Sequence, residues 1–374
     1  MKEKFSLKDA LFNSAKVEKI ASEIQAVYAD FEQKAFEAEV VSRFPELELK
    51  ARIDHVRDML ARYLPDDYRE ATTILINALP PELDSGKFDN DFGDFIYAPY
   101  GAYVAALGCN NEDLDFSLMA LREITKRFSV EYAIRDFINT FPKETLEMLK
   151  ACSLSDNYHE RRLASEGTRP KLPWAKKINI DYLEVIFILD NIFYDKTRYV
   201  TRSVANHLND IAKKDAALVV ATLKRWKSLD KQETKEMDFI IKHALRTLVK
   251  QGNEEALALL GYRKDPSIEV NAFALHKLEV SIGEALVFSF EIESKEEEHL
   301  IVDYIMHFRT KAGSLSPKVH KIKKLLLLEG DSVKLEKKHH FKANMTTRKL
   351  YSGEHKVELQ INGKIYASHT FHLI

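Results

Sequence analysis

The chain has 374 residues, which exceeds one ordinary hydrophobic core and predicts two or three structural units. Its composition, 45% apolar and 30% charged, is that of a globular protein, and a net charge of −2 means that any nucleic-acid signal must come from local charge. Two cysteines, Cys109 and Cys152, exclude a disulfide framework and cannot form a zinc or iron–sulfur site without other ligands. We therefore expect no metal and no cofactor.

The N-terminal segment shows helical spacing instead of the continuous apolar region of a signal peptide. Leu7, Leu11, Ala15, Ile20 and Ile24 recur at the positions of one helix face. No run of the chain approaches the roughly 20 apolar residues that a membrane span needs. We expect a cytoplasmic protein without a membrane partner.

From residue 5 to about 265 the pattern is helical almost throughout. After the first helix and one over 53–63, further helices are predicted near 67–79, 113–127, 130–140, 142–151, 156–165, 180–191, 197–213, 215–227, 234–250 and 253–260. Helices of this length with short links favour antiparallel pairs stacked as a HEAT-like solenoid of roughly 40 residues per pair, with an irregular helical bundle as the alternative. The Gly- and Asp-rich stretch 82–101 is predicted to be a long loop or an irregular lid.

After Pro266 short runs alternate apolar and polar residues, and turn signals such as "NGK" at 362–364 separate them. Some seven short strands in about 107 residues are typical of an Ig-like β-sandwich. We therefore predict two domains, an all-α HEAT-like helical solenoid over 1–267 and an all-β Ig-like sandwich over 268–374.

Positive charge is concentrated in two places. Residues 311–349 contain eleven Lys and Arg against three Asp and Glu, and residues 160–226 contain thirteen against eight. The run "SPKVHKIKKL" alternates Lys318, Lys321, Lys323 and Lys324 with apolar residues, which suits either an anion-binding strand or an edge strand protected from aggregation. Two basic zones in different domains favour one extended anion, DNA or RNA.

The helix "YVTRSVANHLNDIAKKD" has an apolar face and an opposite row of Arg202, Asn206 and Asp210. This row is either a solvated surface or the wall of a groove. In a groove, Asp210 could activate water or stabilise a cation, and Arg202 and Lys213 would hold phosphates.

Glu131, Glu166 and Trp174 each have an ordinary interpretation and a functional one. Glu131 follows the possible N-cap Ser129 and could simply pair with Arg135 four residues on. Trp174, on a loop stiffened by prolines, could be a packing anchor or a surface that attracts a cation.

Together, Glu166, Trp174 and Asp210 would form an anionic, aromatic pocket within a basic rim. Loss of a cationic N-alkylated purine from its sugar leaves an oxocarbenium ion. Carboxylates stabilise this ion, and one of them can direct the attacking water to it.

Four segments resemble the AlkC branch of alkylpurine DNA glycosylases, HEAT-like repeat enzymes related to AlkD: "SVEYAIRDFI" (129–138), "ASEGTRPKLPWA" (164–175), "RSVANHLNDIAK" (202–213) and "SPKVHKIKK" (316–324). The domain order matches over nearly the whole chain, and the Ig-like C-terminal domain is an AlkC trait. Asp136 departs from the family pattern, in which proline is expected.

The resemblance implies a glycosylase for alkylated bases such as 3-methyladenine, with 3-methylcytosine as a second substrate, acting without full base flipping and with the Ig-like domain closing around the DNA. Asp210, Glu166, Glu131 and Trp174 fall on active-site positions, with Asp210 orienting water. The DNA-binding residues are expected to be Arg161, Arg162, Arg169, Lys171, Arg202, Asn206, Lys213, Lys318, Lys321, Lys323 and Lys324.

The expected partner is double-stranded DNA containing alkylated bases, at the nucleoid, with no obligate protein partner. Two other functions stay open at this point. One is a helical-repeat protein that binds damaged or branched DNA without cutting it. The other is a protein-interaction solenoid with an adhesion-type Ig domain.

Overall fold

The computed structural model describes residues 6–83, 92–343, 345 and 348–374. Within these residues the chain is helical up to Leu259 and forms strands from Ile268 onwards. The predicted order, all-α followed by all-β, is therefore confirmed.

The helices of the described residues have the following bounds: α1 (Leu7–Leu11), α2 (Ser14–Val27), α3 (Gln33–Arg43), α4 (Leu49–Tyr63), α5 (Tyr68–Asn77), α6 (Ala98–Leu107), α7 (Leu114–Thr125), α8 (Ile134–Thr140), α9 (Pro142–Cys152), α10 (Tyr158–Glu166), α11 (Tyr182–Asp190), α12 (Arg198–Ile211), α13 (Ala216–Leu229), α14 (Thr234–Ala244), α15 (Arg246–Lys250) and α16 (Glu254–Leu259). Short 3-10 helices occupy Phe44–Glu46 and Phe95–Tyr97.

The predictions for the first helix and for the stretch 82–101 needed correction, the predicted helix 130–140 begins only at Ile134, and the predicted helix 234–250 is divided into α14 and α15. The predicted first helix is interrupted after Leu11, where the side chain of Asn13 accepts a hydrogen bond from the Lys16 amide and starts α2. The predicted loop 82–101 is partly helical, because the 3-10 helix at Phe95–Tyr97 leads into α6. Pro99 lies in the first turn of α6, where its missing amide proton does no harm. Residues 84–91 of that stretch lie outside the described residues.

Contacts divide the chain into two units, Met1–Lys214 with Arg225–Ala244, and Asp215–Lys224 with Leu245–Ile374. In the first unit most helices pack against the next helix or the next but one, which is the arrangement of stacked helix pairs. In particular, α12 packs against both α10 and α14. This packing determines which side chains of α10 and α12 face each other.

The strands of the second unit form two sheets. Their bounds are β1 (Ile268–Leu275), β2 (Glu279–Val280), β3 (Ala285–Ser294), β4 (Glu298–Arg309), β5 (Leu315–Leu327), β6 (Ser332–His340), β7 (Gly353–Ile361) and β8 (Lys364–Leu373). One sheet has the order β1-β3-β6 and the other β2-β8-β7-β4-β5. Alternate residues of β3, from Leu286 to Ile292, are fully buried and contribute to the core of this unit.

The predicted domain boundary between 267 and 268 falls inside the second unit. Residues before β1 are attached to the sheets: the Asn362 side chain donates to the Arg263 carbonyl at 2.7 Å, and Arg263 pairs with Glu298. A Cβ on Gly363 would lie 2.1 Å from Cα of Gly252, so only glycine permits this approach. The boundary stays a prediction.

Candidate active site

Asp210 lies on α12, the helix whose polar row had two interpretations. Its apolar positions Val200, Val204 and Leu208 are fully buried, as the amphipathic pattern predicts. Asp210 is also buried, with 3% of its surface exposed, because α12 packs directly against α10. The interpretation of Asp210 as part of a solvated face is therefore wrong.

Arg169 connects Glu166, the last residue of α10, with Asp210. Its Nη1 donates to Oε1 of Glu166 at 2.5 Å, and its Nε and Nη2 donate to Oδ2 of Asp210 at 3.0 and 2.9 Å. The guanidinium group is planar and fork-shaped, so two carboxylates bonded to it are held in a fixed relative position. Arg169 thus brings the carboxylates of Glu166 and Asp210 together.

Arg162, on α10, brings a third carboxylate to this site. Its Nη1 donates to Oε2 of Glu131 at 2.7 Å, and its Nη2 lies 3.9 Å from Oε1 of Glu166. The guanidinium lies over the ring of Tyr199, 4.5 Å from the ring centre. Ser129 donates to Oε2 of Glu131 at 2.8 Å and accepts from Arg162. Glu131 therefore pairs with Arg162. Its ordinary interpretation, a pair with Arg135, is wrong.

Lys213 completes the arrangement by donating to Oδ1 of Asp210 at 3.0 Å. We call this set the ionic chain. It alternates three carboxylates with three cations in the order Glu131, Arg162, Glu166, Arg169, Asp210 and Lys213. Each carboxylate of this set has at least one cationic partner, as burial of a charged group requires.

The pKa values of Glu166 and Arg169 show how the paired charges of the ionic chain affect one another. Burial alone would raise the pKa of Glu166, but the charges of Arg162 and Arg169 and the hydrogen bonds from Ser203 and Arg169 outweigh it and lower the pKa. For Arg169, burial opposes the charge, while Glu166 and Asp210 favour it, and the pKa is raised. Both groups are therefore charged at neutral pH.

His207 lies one turn before Asp210 on α12 and is fully buried. Burial, together with the charge of Arg169, lowers its pKa to about 4. Its Nδ1 lies 2.9 Å from the Ser165 carbonyl oxygen, which can only accept, so Nδ1 carries the proton. His207 is a neutral donor that fixes the end of α10 to α12.

The loop after α10 is held by Arg135 of α8. The Arg135 guanidinium donates to the carbonyl oxygens of Gly167 and Arg169 at 3.0 Å each and of Lys176 at 2.5 Å. Asp136, the departure from the family pattern, pairs with Lys176 at 2.5 Å. These contacts fix the loop that carries Arg169 at its start and Trp174 near its end.

Trp174 is not a packing anchor, because 71% of its surface is exposed. Its backbone has a φ of 65°, a left-handed conformation that is rare for a residue with a bulky side chain. Lys50 donates to its carbonyl oxygen. The other tryptophan, Trp226, is the packing residue: it is fully buried and stacks on Phe193 at 4.6 Å between ring centres.

The residues predicted to bind DNA differ widely in exposure. Arg162 and Arg169 are buried in the ionic chain, and Arg161 pairs with Asp195 at 2.5 Å, so these three guanidinium groups bind carboxylates. Lys171 is exposed, whereas Arg202 and Asn206 are half-buried. The side-chain oxygen Oδ1 of Asn206 lies 2.9 Å from Nε2 of His243.

The predicted lysine run lies on β5, which is an edge strand of the five-stranded sheet. Lys318, Lys321 and Lys323 are exposed, opposite Met306, Asp303 and Val302 of β4. Lys324 donates to the Tyr262 hydroxyl at 2.8 Å. Protection of an edge and binding of an anion are both compatible with this position.

Two further findings concern the described part of the chain. None of its helices combines the length and the apolar character needed to cross a membrane. Within the same residues, no group of three or more His, Cys, Asp or Glu side chains is arranged to hold a metal ion.

Comparison with known proteins gives the family. Residues 269–374 match the family model of the C-terminal Ig-like domain of the uncharacterised protein YhaZ. The chain is 33% identical to YhaZ of Bacillus subtilis (strain 168) over 365 residues, which are 96% of this chain and 98% of that protein. It is also 33% identical to the alkylpurine DNA glycosylase AlkC of Pseudomonas fluorescens, solved with DNA containing an abasic site analog. That superposition has a TM-score of 0.86 and covers 99% of this chain and 100% of that one.

This chain belongs to the AlkC family. The membership confirms the predicted fold class, an all-α HEAT-like helical solenoid followed by an all-β Ig-like sandwich. It leaves the roles of the individual residues as predictions.

Several residues of this AlkC-family site were not predicted from the sequence. Ser203 and His207 precede Asp210 on α12 by seven and three residues, so both share its side of the helix, a spacing that could have identified them. Arg135 was noted only as a partner for Glu131, and nothing in the sequence shows that it binds three carbonyl groups far along the chain.

Proposed function

We propose that this protein is a DNA glycosylase that excises cationic alkylated bases such as 3-methyladenine and 3-methylcytosine from double-stranded DNA. The observation that carries the proposal is the ionic chain, in which arginines pair with three buried or half-buried carboxylates in one place. The AlkC of Pseudomonas fluorescens, described as an alkylpurine DNA glycosylase bound to DNA, supports the same function.

Hydrolysis of the glycosidic bond needs carboxylates that are held in fixed positions. The bond between the sugar C1′ and the base nitrogen breaks, and its electron pair neutralises the positive base. The sugar is left as an oxocarbenium-like species, water adds to C1′, and one proton is released. Fixed carboxylates in a site with little water stabilise the developing sugar charge more than solvated carboxylates do, because they need no reorganisation.

We assign the orientation of water to Asp210 and electrostatic support to Glu131 and Glu166. Asp210 accepts from Arg169 on one oxygen and from Lys213 on the other, so its carboxylate plane is fixed. Glu131 is the most accessible of the three, with 15% of its side chain exposed against 7% for Glu166 and 4% for Asp210. Glu131 is thus the acid nearest to solvent, and Glu166 is the central support.

Basic residues at the surface would hold the phosphates. Lys171 in the helical unit and Lys318, Lys321 and Lys323 on β5 are exposed, so their ammonium groups can approach an anionic backbone. Arg162 and Arg169 act through the carboxylates that they position. We propose that the lesion is excised without full base flipping.

The test is release of free base from methylated double-stranded DNA by the full chain, separated and quantified by chromatography. Release of 3-methyladenine, leaving abasic sites in equal amount, is the expected result. Binding to methylated DNA without any released base would contradict the proposal and favour a protein that only recognises damaged DNA.

A further inference from the structure

A cavity beside the ionic chain has no role in the chemistry above. Its volume is about 350 Å³, which lies within the range of small-molecule sites. Gly101, Ala102 and Ala105 of α6 form one wall, and the small size of these residues keeps the cavity open. The aromatic side chains around it are those of Phe95, Phe128, Tyr132 and Trp174, among others.

The cavity adjoins the ionic chain through two residues. Ser129 lines the cavity and also bonds Glu131 and Arg162. Tyr132 lines it as well, and a second cavity contains Ser129, Tyr132 and Glu131 together. A base released beside the carboxylates therefore has a mostly apolar cavity next to it, with a volume in the range of small-molecule sites.

The carboxylates that line this cavity are already paired, and Lys50 adds a further positive charge to the lining. Asp54 pairs with Arg57 at 2.8 Å, and Asp136 pairs with Lys176 at 2.5 Å. A cation entering it would lose hydration without gaining an unpaired carboxylate, whereas a neutral planar ring would gain aromatic contact. The ionic chain and the cavity thus suit two different charge states of the same ring.

Trp174 is held over this space at a conformational cost. Its left-handed backbone is fixed by the Lys50 ammonium on its own carbonyl, by Arg135 on the Lys176 carbonyl and by the Tyr132 hydroxyl, 3.4 Å from the Pro173 carbonyl oxygen. An indole that lines a cavity while 71% exposed provides a stacking surface that is open to an incoming ring.

We propose that this cavity binds the released base, a neutral N-methylated purine, after the glycosidic bond has broken. The inference rests on the proposed function, because it concerns the product of that reaction. Hydrolysis removes the positive charge of the base. The carboxylates then no longer attract the ring, and the neutral ring can bind in the apolar cavity.

The test measures binding of two free bases by equilibrium dialysis with the full chain. Neutral 3-methyladenine represents the product, and the 3,9-dimethyladeninium cation represents the charged lesion. We expect the neutral base to bind at least tenfold more tightly. Equal binding, tighter binding of the cation or no binding of the neutral base would overturn the inference.

Ala102→Phe fills the cavity and is expected to weaken binding of 3-methyladenine at least tenfold and to relieve inhibition by added 3-methyladenine. Ala151→Phe, at an exposed position of α9, is the matched control and should change neither. Thermal unfolding shows whether Ala102→Phe is folded; if it is not, Ala105→Leu replaces it. A folded variant that binds the base as the wild type does would refute the site.

Base release is measured on the same preparations. A wild-type chain that releases 3-methyladenine but does not bind the free base would overturn only the proposal that the cavity binds the product. A chain that releases no base overturns the proposed function.

Discussion

Arg169 donates two hydrogen bonds to the same oxygen of Asp210, from Nε at 3.0 Å and from Nη2 at 2.9 Å, and uses its third nitrogen for Glu166. One guanidinium therefore determines the position of two carboxylates on different helices. Since all three side chains are buried, removing the cation leaves two negative charges poorly compensated in a region of low dielectric.

Arg169→Gln should therefore lower the free energy of unfolding by about 3–5 kcal/mol, the range for breaking a buried ion pair. Urea titration measures this difference. The control is Arg43→Gln, whose partner Glu46 lies on the surface and whose loss should change stability by less than about 1 kcal/mol. Equal effects of the two substitutions would show that Arg169 contributes no more than a surface pair.

Glu166→Gln should reduce stability in a pH-dependent way. The pKa of Glu166 in the folded protein lies below the usual value of about 4.3, so its ionised form stabilises the fold above that pH. This contribution is lost as the pH falls through the lowered pKa. The difference in Tm between wild type and variant should therefore be constant above about pH 5 and shrink below about pH 4. A difference that grows on acidification would contradict the direction of the shift.

Trp174→Gly separates packing from function. The indole is exposed and the backbone is left-handed, so glycine removes about 1 kcal/mol of strain and sacrifices little buried surface. We expect unchanged or slightly raised Tm together with slower base release. Asp230→Gly, at another exposed residue with positive φ (49°), is the control that should raise Tm without affecting base release. A large loss of stability in Trp174→Gly would restore the packing interpretation.

The double substitution Lys318→Ala and Lys321→Ala tests the lysines of β5. If both contact phosphates, the slope of log K against log salt should become shallower by about 1.8, at about 0.9 per phosphate contact. Lys295→Ala, at an exposed lysine between β3 and β4, should leave the slope unchanged. An unchanged slope in the double variant would identify these lysines as protection of an edge strand.

The sequence was informative about the elements because helix and strand periodicity are local properties. The amphipathic pattern of α12 correctly predicted the buried positions of Val200 and Val204, but it placed Asp210 in a separate polar row, whereas Asp210 is buried too. Its burial was not predictable, since it depends on α10, whose side chains lie about 40 residues earlier in the chain. The helix α6 was missed because its glycine and proline suggested a loop.

The pairing of charges was beyond the sequence for the same reason. Arg135 and Glu131 have ideal helical spacing, yet the helix α8 begins only at Ile134, so Glu131 lies before it. Arg135 then reaches backbone carbonyls more than 30 residues away. The basic residues near Glu166 were expected to face phosphates, but Arg161, Arg162 and Arg169 bind carboxylates, because burial requires each charge to have a partner.

The most direct test of the central claim is the single-turnover rate of base release by Asp210→Asn from DNA containing 3-methyladenine. The amide keeps the shape and the acceptor oxygen for Arg169 but removes the charge. We predict a rate at least about 100-fold lower than wild type, the scale of losing one electrostatic contact to a transition state, with DNA affinity nearly unchanged. Asp156→Asn, at an exposed position just before α10, should match the wild type. Wild-type release by Asp210→Asn would contradict the account.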